Sequence, residues 1–184
     1  MKKTVWKAFI NYEKEEDWLN SMSAKGFALA SFLPFHYVFN DSLPGEYIYR
    51  IELLKNLPGH EESRKYLDFM AESGVEHVTS WGRWVYFRKR AADGPFDIFS
   101  DIDSLIGHYK RLAWLWLPIM GMDLLIGISN FSHGVDYLNG TGDGMMFNFV
   151  MGIVLLCLSV LIFFSWNTFR LKIKALRRKK TLRE

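Results

Sequence analysis

Residues Met145–Trp166, MMFNFVMGIVLLCLSVLIFFSW, run for 22 positions without a charge. A helix of that length rises about 33 Å at ~1.5 Å per residue, close to the ~30 Å hydrocarbon core of a bilayer. A second apolar run, Leu112–Ile128, carries Asp123 as its only charge and reaches Asn130 before polar loop residues take over. Between positions 112 and 169 there is no Lys or Arg, and the acidic groups are Asp123, Asp136 and Asp143 alone. This stretch divides the chain into a charge-balanced part before it and a basic tail behind it.

The pattern predicts two membrane spans, at 112–130 and 145–167. An extracytoplasmic loop at 131–144 joins them, and a basic cytoplasmic tail at 168–184 follows. Lys110 and Arg111 precede the first span, and Arg170–Arg183 (RLKIKALRRKKTLR) follows the second. By the positive-inside rule both termini are expected in the cytoplasm. Trp114, Trp116 and Trp166 sit where interfacial aromatics are favoured. The N-terminal MKKTVW has no apolar core of signal-peptide length, so the first ~95 residues are expected to stay cytosolic. Membrane lipids are expected partners, with Arg177, Arg178, Lys179 and Lys180 as headgroup contacts. Asp123 breaks the rule for a span, where an ionised carboxylate costs about 2.5–3.5 kcal/mol. Asp123 and Asn148 are therefore the candidate intramembrane polar pair, across the two helices or between protomers.

The whole chain of 184 residues is 49% hydrophobic and 16% aromatic, which excludes a disordered protein. Its single cysteine, Cys157, excludes an internal disulfide framework and a cysteine-based zinc cluster. A net charge of +3 is too mild to imply nucleic acid.

The first 93 residues read as an α+β domain. Thr4–Tyr12 is rich in β-branched and aromatic residues and predicts a strand. Glu13–Lys25 predicts a helix stopped by Gly26, and Phe27–Asn40 a long strand. Glu46–Leu54 predicts a strand antiparallel to it, His60–Ser73 a helix, and Val75–Lys89 a final strand bulged at Gly82. The order βαββαβ is that of a ferredoxin-like fold, with four antiparallel strands and both helices on one face. Alternation gathers Trp6, Tyr12, Tyr37, Tyr47, Tyr49 and Trp84 as sheet aromatics, while Val5, Phe9, Phe32, Val38, Ile48, Val85 and Phe87 make the opposite sets apolar too. Either set serves as the core, and both faces call for cover. Residues 94–111 predict an amphipathic linker helix, with Ile98, Ile102, Leu105, Ile106 and Tyr109 at helical spacing.

Three segments resemble one uncharacterised bacterial family, domain of unknown function 2812. They are Asn11–Leu19 with Met22 and Ala24-Lys25-Gly26, Pro44–Leu54, and Trp81–Lys89 with Phe99-Ser100-Asp101. The resemblance covers about residues 5–110 and implies a bacterial cell-membrane protein, since an appended helix pair is usual in that family. It implies no chemistry. Members often stand beside PadR-type transcription regulators, which implies a regulatory partner.

No catalytic constellation, metal-ligand spacing or cofactor motif emerges. The five histidines stand far apart, the acidic runs Glu13/Glu15/Glu16/Asp17 and Glu61-Glu62 read as solvated helix starts, and Gly140–Gly144 lacks the lysine of a phosphate loop. The expectation is a membrane-anchored sensor or interaction domain. It would regulate by binding a protein partner, such as a transcription regulator, a transporter subunit or a second copy. The alternative is a small-molecule receptor built on the sheet aromatics.

Overall fold

A computed structural model describes residues 2–99 and 101–182. Met1, Ser100 of the Phe99–Asp101 motif, and Arg183 and Glu184 of the basic tail lie outside the described residues. The chain forms two compact units, residues 1–100 and 101–184.

The first unit is α+β with two three-stranded antiparallel sheets. Strands β1 (Lys2–Trp6), β2 (Phe27–Leu33) and β3 (His36–Asp41) form one sheet in the order β1-β3-β2. Strands β4 (Tyr47–Leu53), β5 (Glu76–Trp81) and β6 (Trp84–Arg90) form the other, in the order β4-β6-β5. Helix α1 (Tyr12–Ala24) follows β1, and α2 (Glu61–Glu72) follows β4. The unit is thus two βαββ halves in tandem, not a four-stranded ferredoxin-like sheet. Each expected long strand is a hairpin. Pro34 and Phe35 turn the first, Gly82 and Arg83 the second. Proline removes a ladder donor, and Gly82 takes a positive φ of 58°, so neither strand runs through. Strand β4 pairs with β6 and not with the preceding strand. β1 stops at Trp6, opposite His36 where its partner β3 begins, and Asn11 then caps α1 by accepting from the Glu13 and Lys14 N–H groups.

The halves match closely. Gly26 and Gly74 both take a positive φ after the helix, and Met22 and Met70 are buried in the turn before it. The bulges at Leu29/Ser31 and His77/Thr79 correspond. Each counterpart lies 48 residues further on.

One core joins Leu19 and Met22 of α1 to Leu29, Tyr37 and Phe39 of the first sheet and to Tyr49, Ile51 and Tyr86 of the second. A second core lies on the other face of the second sheet, where Val85 and Phe87 meet Met70, Val75, Leu54 and Phe96. Ile98 packs there too, so residues 94–99 return onto this sheet in non-helical form after a 3-10 turn at Ala91–Asp93. The linker helix expected over 94–111 therefore begins only at Ile102.

The second unit is a pair of packed helices, α3 (Ile102–Leu138) and α4 (Met146–Thr181). Each is long and apolar enough to cross a membrane. α3 continues unbroken through most of the expected loop, which shrinks to residues 139–145.

Candidate functional site

Helix α1 shows why much of the aromatic face is closed. Residues 16, 20 and 23 lie along one side of a 3.6-residue helix, facing the edge strand β4. Glu16 accepts from the Ile51 N–H at 2.9 Å. Asn20 accepts from the Tyr49 N–H at 2.8 Å and donates to the Tyr49 carbonyl at 3.2 Å. Ser23 donates to the Tyr47 carbonyl at 2.7 Å. These side chains replace a neighbouring strand and satisfy an edge that would otherwise be open to pairing.

Beneath them Glu15 is buried, and the Tyr37 and Tyr86 hydroxyls both donate to its Oε1 at 2.7 Å. Burial raises its carboxyl above the ordinary range, against the pull of those two hydrogen bonds. Burial also raises Glu16, to about 7, opposed by the Ile51 N–H and the Arg50 guanidinium. Glu15 and Glu16 are therefore not the solvated helix start that the acidic run implied. The signal was present as polar residues at positions 16, 20 and 23, on the helix side next to apolar Leu19 and Met22.

The expected aromatic site is divided accordingly. Tyr37 and Tyr49 are core residues, and the Tyr49 hydroxyl accepts from the Leu29 N–H at 2.8 Å. Tyr12 and Trp84 are half-buried and in ring contact at 5.9 Å. Tyr47 is half-buried under the Arg88 guanidinium, 4.4 Å from its ring centroid. Trp6 alone is bare, at 74% exposure.

Register explains the separation. Val5, not Trp6, lies opposite Tyr37, while Trp6 lies opposite His36. A one-residue difference moves a side chain to the other face of a sheet. The outer face of the first sheet therefore carries Thr4, Trp6, Ser31, Leu33, His36 and Val38. Leu33 is 62% exposed, and Phe35 at the adjoining turn 57%. Phe35 holds a φ of +67°, which L-residues other than glycine and asparagine rarely adopt. Composition could not single out Leu33 or Phe35, because their exposure depends on a turn inside an apparently continuous strand.

In the second unit Asp123 accepts from the Ser159 hydroxyl at 2.6 Å. Asn148 is not its partner: Asn148 donates to Asn130 at 3.2 Å and accepts from the Met145 N–H at 3.0 Å. Small residues let the helices close on each other. A Cβ at Gly152 would lie 2.5 Å from the Phe131 backbone nitrogen, and one at Gly134 would strike the Phe149 backbone. At the basic end Arg177, Arg178 and Lys179 are exposed, whereas Lys180 pairs with Asp103 at 2.7 Å. Among the described residues no three His, Cys, Asp or Glu side chains gather as a metal site.

The sequence profile of a family described as a protein of unknown function (DUF2812) matches residues 11–120. The chain belongs to the DUF2812 family. No curated protein and no solved structure matches it. The DUF2812 segment opens at the cap of α1, so it contains the Glu15–Tyr37–Tyr86 network, the polar side of α1 and the Leu33–His36 turn. It ends inside α3, before Asp123 and the whole of α4.

Proposed function

We propose that this DUF2812 protein is a membrane-anchored binding module. In this reading α3 and α4 span the bacterial cell membrane with both termini cytoplasmic, and the first unit binds a cytosolic protein through the outer face of its first sheet. Transfer of regulation to that partner, by holding it at the membrane, is the role that fits.

One observation carries the reading: the second sheet is covered on both faces and the first on only one. Trp6 and its counterpart Leu53 occupy matching positions, opposite His36 and Trp84. The Lys7 N–H donates to the Phe35 carbonyl just as the Leu54 N–H donates to the Arg83 carbonyl, each at 2.8 Å. Yet Leu53 is 2% exposed and Trp6 74%. Apolar area of this kind, rimmed by polar residues, is the usual mark of a protein-binding surface. A small-molecule receptor on the aromatic face has less support, since α1 and the first sheet fill the space beside Tyr49 and Tyr86.

The test is recovery of tagged full-length protein from native membranes, with and without the double change Trp6→Ser, Leu33→Ser. We expect a cytosolic protein to co-purify with the wild type and to be lost from the variant. Loss of a second copy instead would make the face a self-association surface, and equal recovery would remove it from binding. Reporter fusions after Glu184 and near Gly140 test the topology separately. A fusion at Glu184 active only outside the cytoplasm contradicts it.

A further inference from the structure

We propose that the basic ends of α3 and α4 form a groove for the phosphate of an anionic lipid headgroup, an inference that rests on the membrane placement proposed above. The groove, of about 500 Å³, is lined by Lys110 of α3 and by Asn167, Arg170, Leu171, Lys174 and Arg177 of α4. Positions 167, 170, 174 and 177 fall along one side of the helix. The lining brings four cations together and contains no carboxylate. Two arginine forks, two ammonium groups and an amide are the donor set that a phosphate diester takes.

Neighbouring cations are engaged elsewhere. Lys180 pairs with Asp103, and the Lys172 ammonium lies 5.2 Å from the Tyr109 ring centroid. The tail is therefore not uniformly basic: Arg170, Lys174 and Arg177 share the groove with Lys110, while Arg178 and Lys179 lie outside it. Depth selects a lipid over a soluble anion. The groove starts one residue after the apolar run ends at Trp166, and Arg170 is held 4.7 Å over the Trp166 ring. A headgroup bound there leaves its acyl chains beside the apolar surface of α4. Basic clefts between helices at this level are suited to acidic headgroups.

The test uses the full chain in detergent. Thermal midpoints are measured against dioctanoyl phosphatidylglycerol, dioctanoyl phosphatidylcholine and inorganic phosphate. Two double variants of equal charge are compared, Arg170→Gln with Lys174→Gln in the groove, and Arg178→Gln with Lys179→Gln outside it. We expect saturable stabilisation by the phosphatidylglycerol alone, weakened about tenfold or more by the groove pair and less than about threefold by the other. Equal weakening by both pairs would make the attraction diffuse and overturn the groove. Saturation by inorganic phosphate at the same concentrations would make it a site for a soluble anion and overturn the lipid assignment. Recovery of the wild type in carbonate-washed membranes is scored separately. Its absence overturns the membrane placement, whereas its presence without lipid selectivity overturns the groove alone.

Discussion

The two βαββ halves of the first unit share topology, bulge positions and cap glycines, and they differ in what covers them. The second sheet lies between two cores. The first sheet has a core on one face only. Its helix α1 carries polar groups that serve the neighbouring half, holding the β4 backbone at Tyr47, Tyr49 and Ile51. Helix α2 has no such duty. Its Tyr66 hydroxyl reaches the buried Glu52 at 2.8 Å, and its apolar side meets the second core. A duplicated plan has thus been made asymmetric: one half supplies the joint, and the same half retains an open face.

The sharpest way to break this comparison is to cut equivalent residues. Leu19 of α1 is fully buried, and its counterpart Leu67 of α2 is only partly so. Leu19→Ala should cost about 3–5 kcal/mol and Leu67→Ala less than about 2, measured by urea denaturation of the full chain in detergent. Equal losses would deny α1 its special place.

The pH dependence is the next largest effect. Glu16 is raised from 4.5 to about 7, so it is more protonated in the fold than in the unfolded chain. Its contribution is therefore full below about pH 4.5 and is lost as the pH climbs through 7. Glu15 is raised too and acts in the same direction. We expect the stability of the wild type relative to Glu16→Gln to fall by about 1–3 kcal/mol between pH 4.5 and 7.5, a difference that cancels the opposing effect of His77, whose pKa burial lowers. A difference that stays flat or rises over this range would contradict the burial assigned to Glu16.

Asn20→Ala removes both bonds to the Tyr49 backbone and should cost about 1–3 kcal/mol. Asn20→Asp keeps the acceptor and loses the donor, so it should fall between wild type and Ala. The smallest effect is expected at the turn. Phe35→Gly relieves a positive φ and should leave stability unchanged or raise it by about 1 kcal/mol, while weakening partner binding. A large loss of stability would make Phe35 a folding residue.

Much of this architecture was legible in sequence. The uncharged run at Met145–Trp166 marked out α4, and the apolar and aromatic clusters located helices α1 and α2. The internal duplication was not legible, because its matching features are backbone features: two glycines at positive φ, two bulges and two turns. Pro34-Phe35 and Gly82-Arg83 sit within apolar stretches that read as single strands until pairing is known. The open face was anticipated as a property of the sheet, but its members depended on register. Of the aromatics expected there, Tyr37 and Tyr49 went to the core and Trp6 to solvent, because Val5 is the residue opposite Tyr37. Asp123 was expected to find a partner across the helices or between protomers, with Asn148 as the candidate. The partner is Ser159, which composition alone did not distinguish from the other small polar residues of α4.

The central claim is that the bare face of the first half binds a partner and its counterpart in the second half does not. The most direct measurement places a photoreactive phenylalanine analogue in intact cells, at Phe35 in one strain and at Trp81 in another. Trp81, the counterpart of Leu33, ends the strand that leads into the corresponding turn of the second half and is itself 50% exposed, so accessibility alone cannot separate the two positions. The account predicts a discrete adduct with a cytosolic protein from position 35, reduced by Trp6→Ser, and none from position 81. Equal adducts from both positions, or none from position 35 in membranes that hold the full chain, would contradict it.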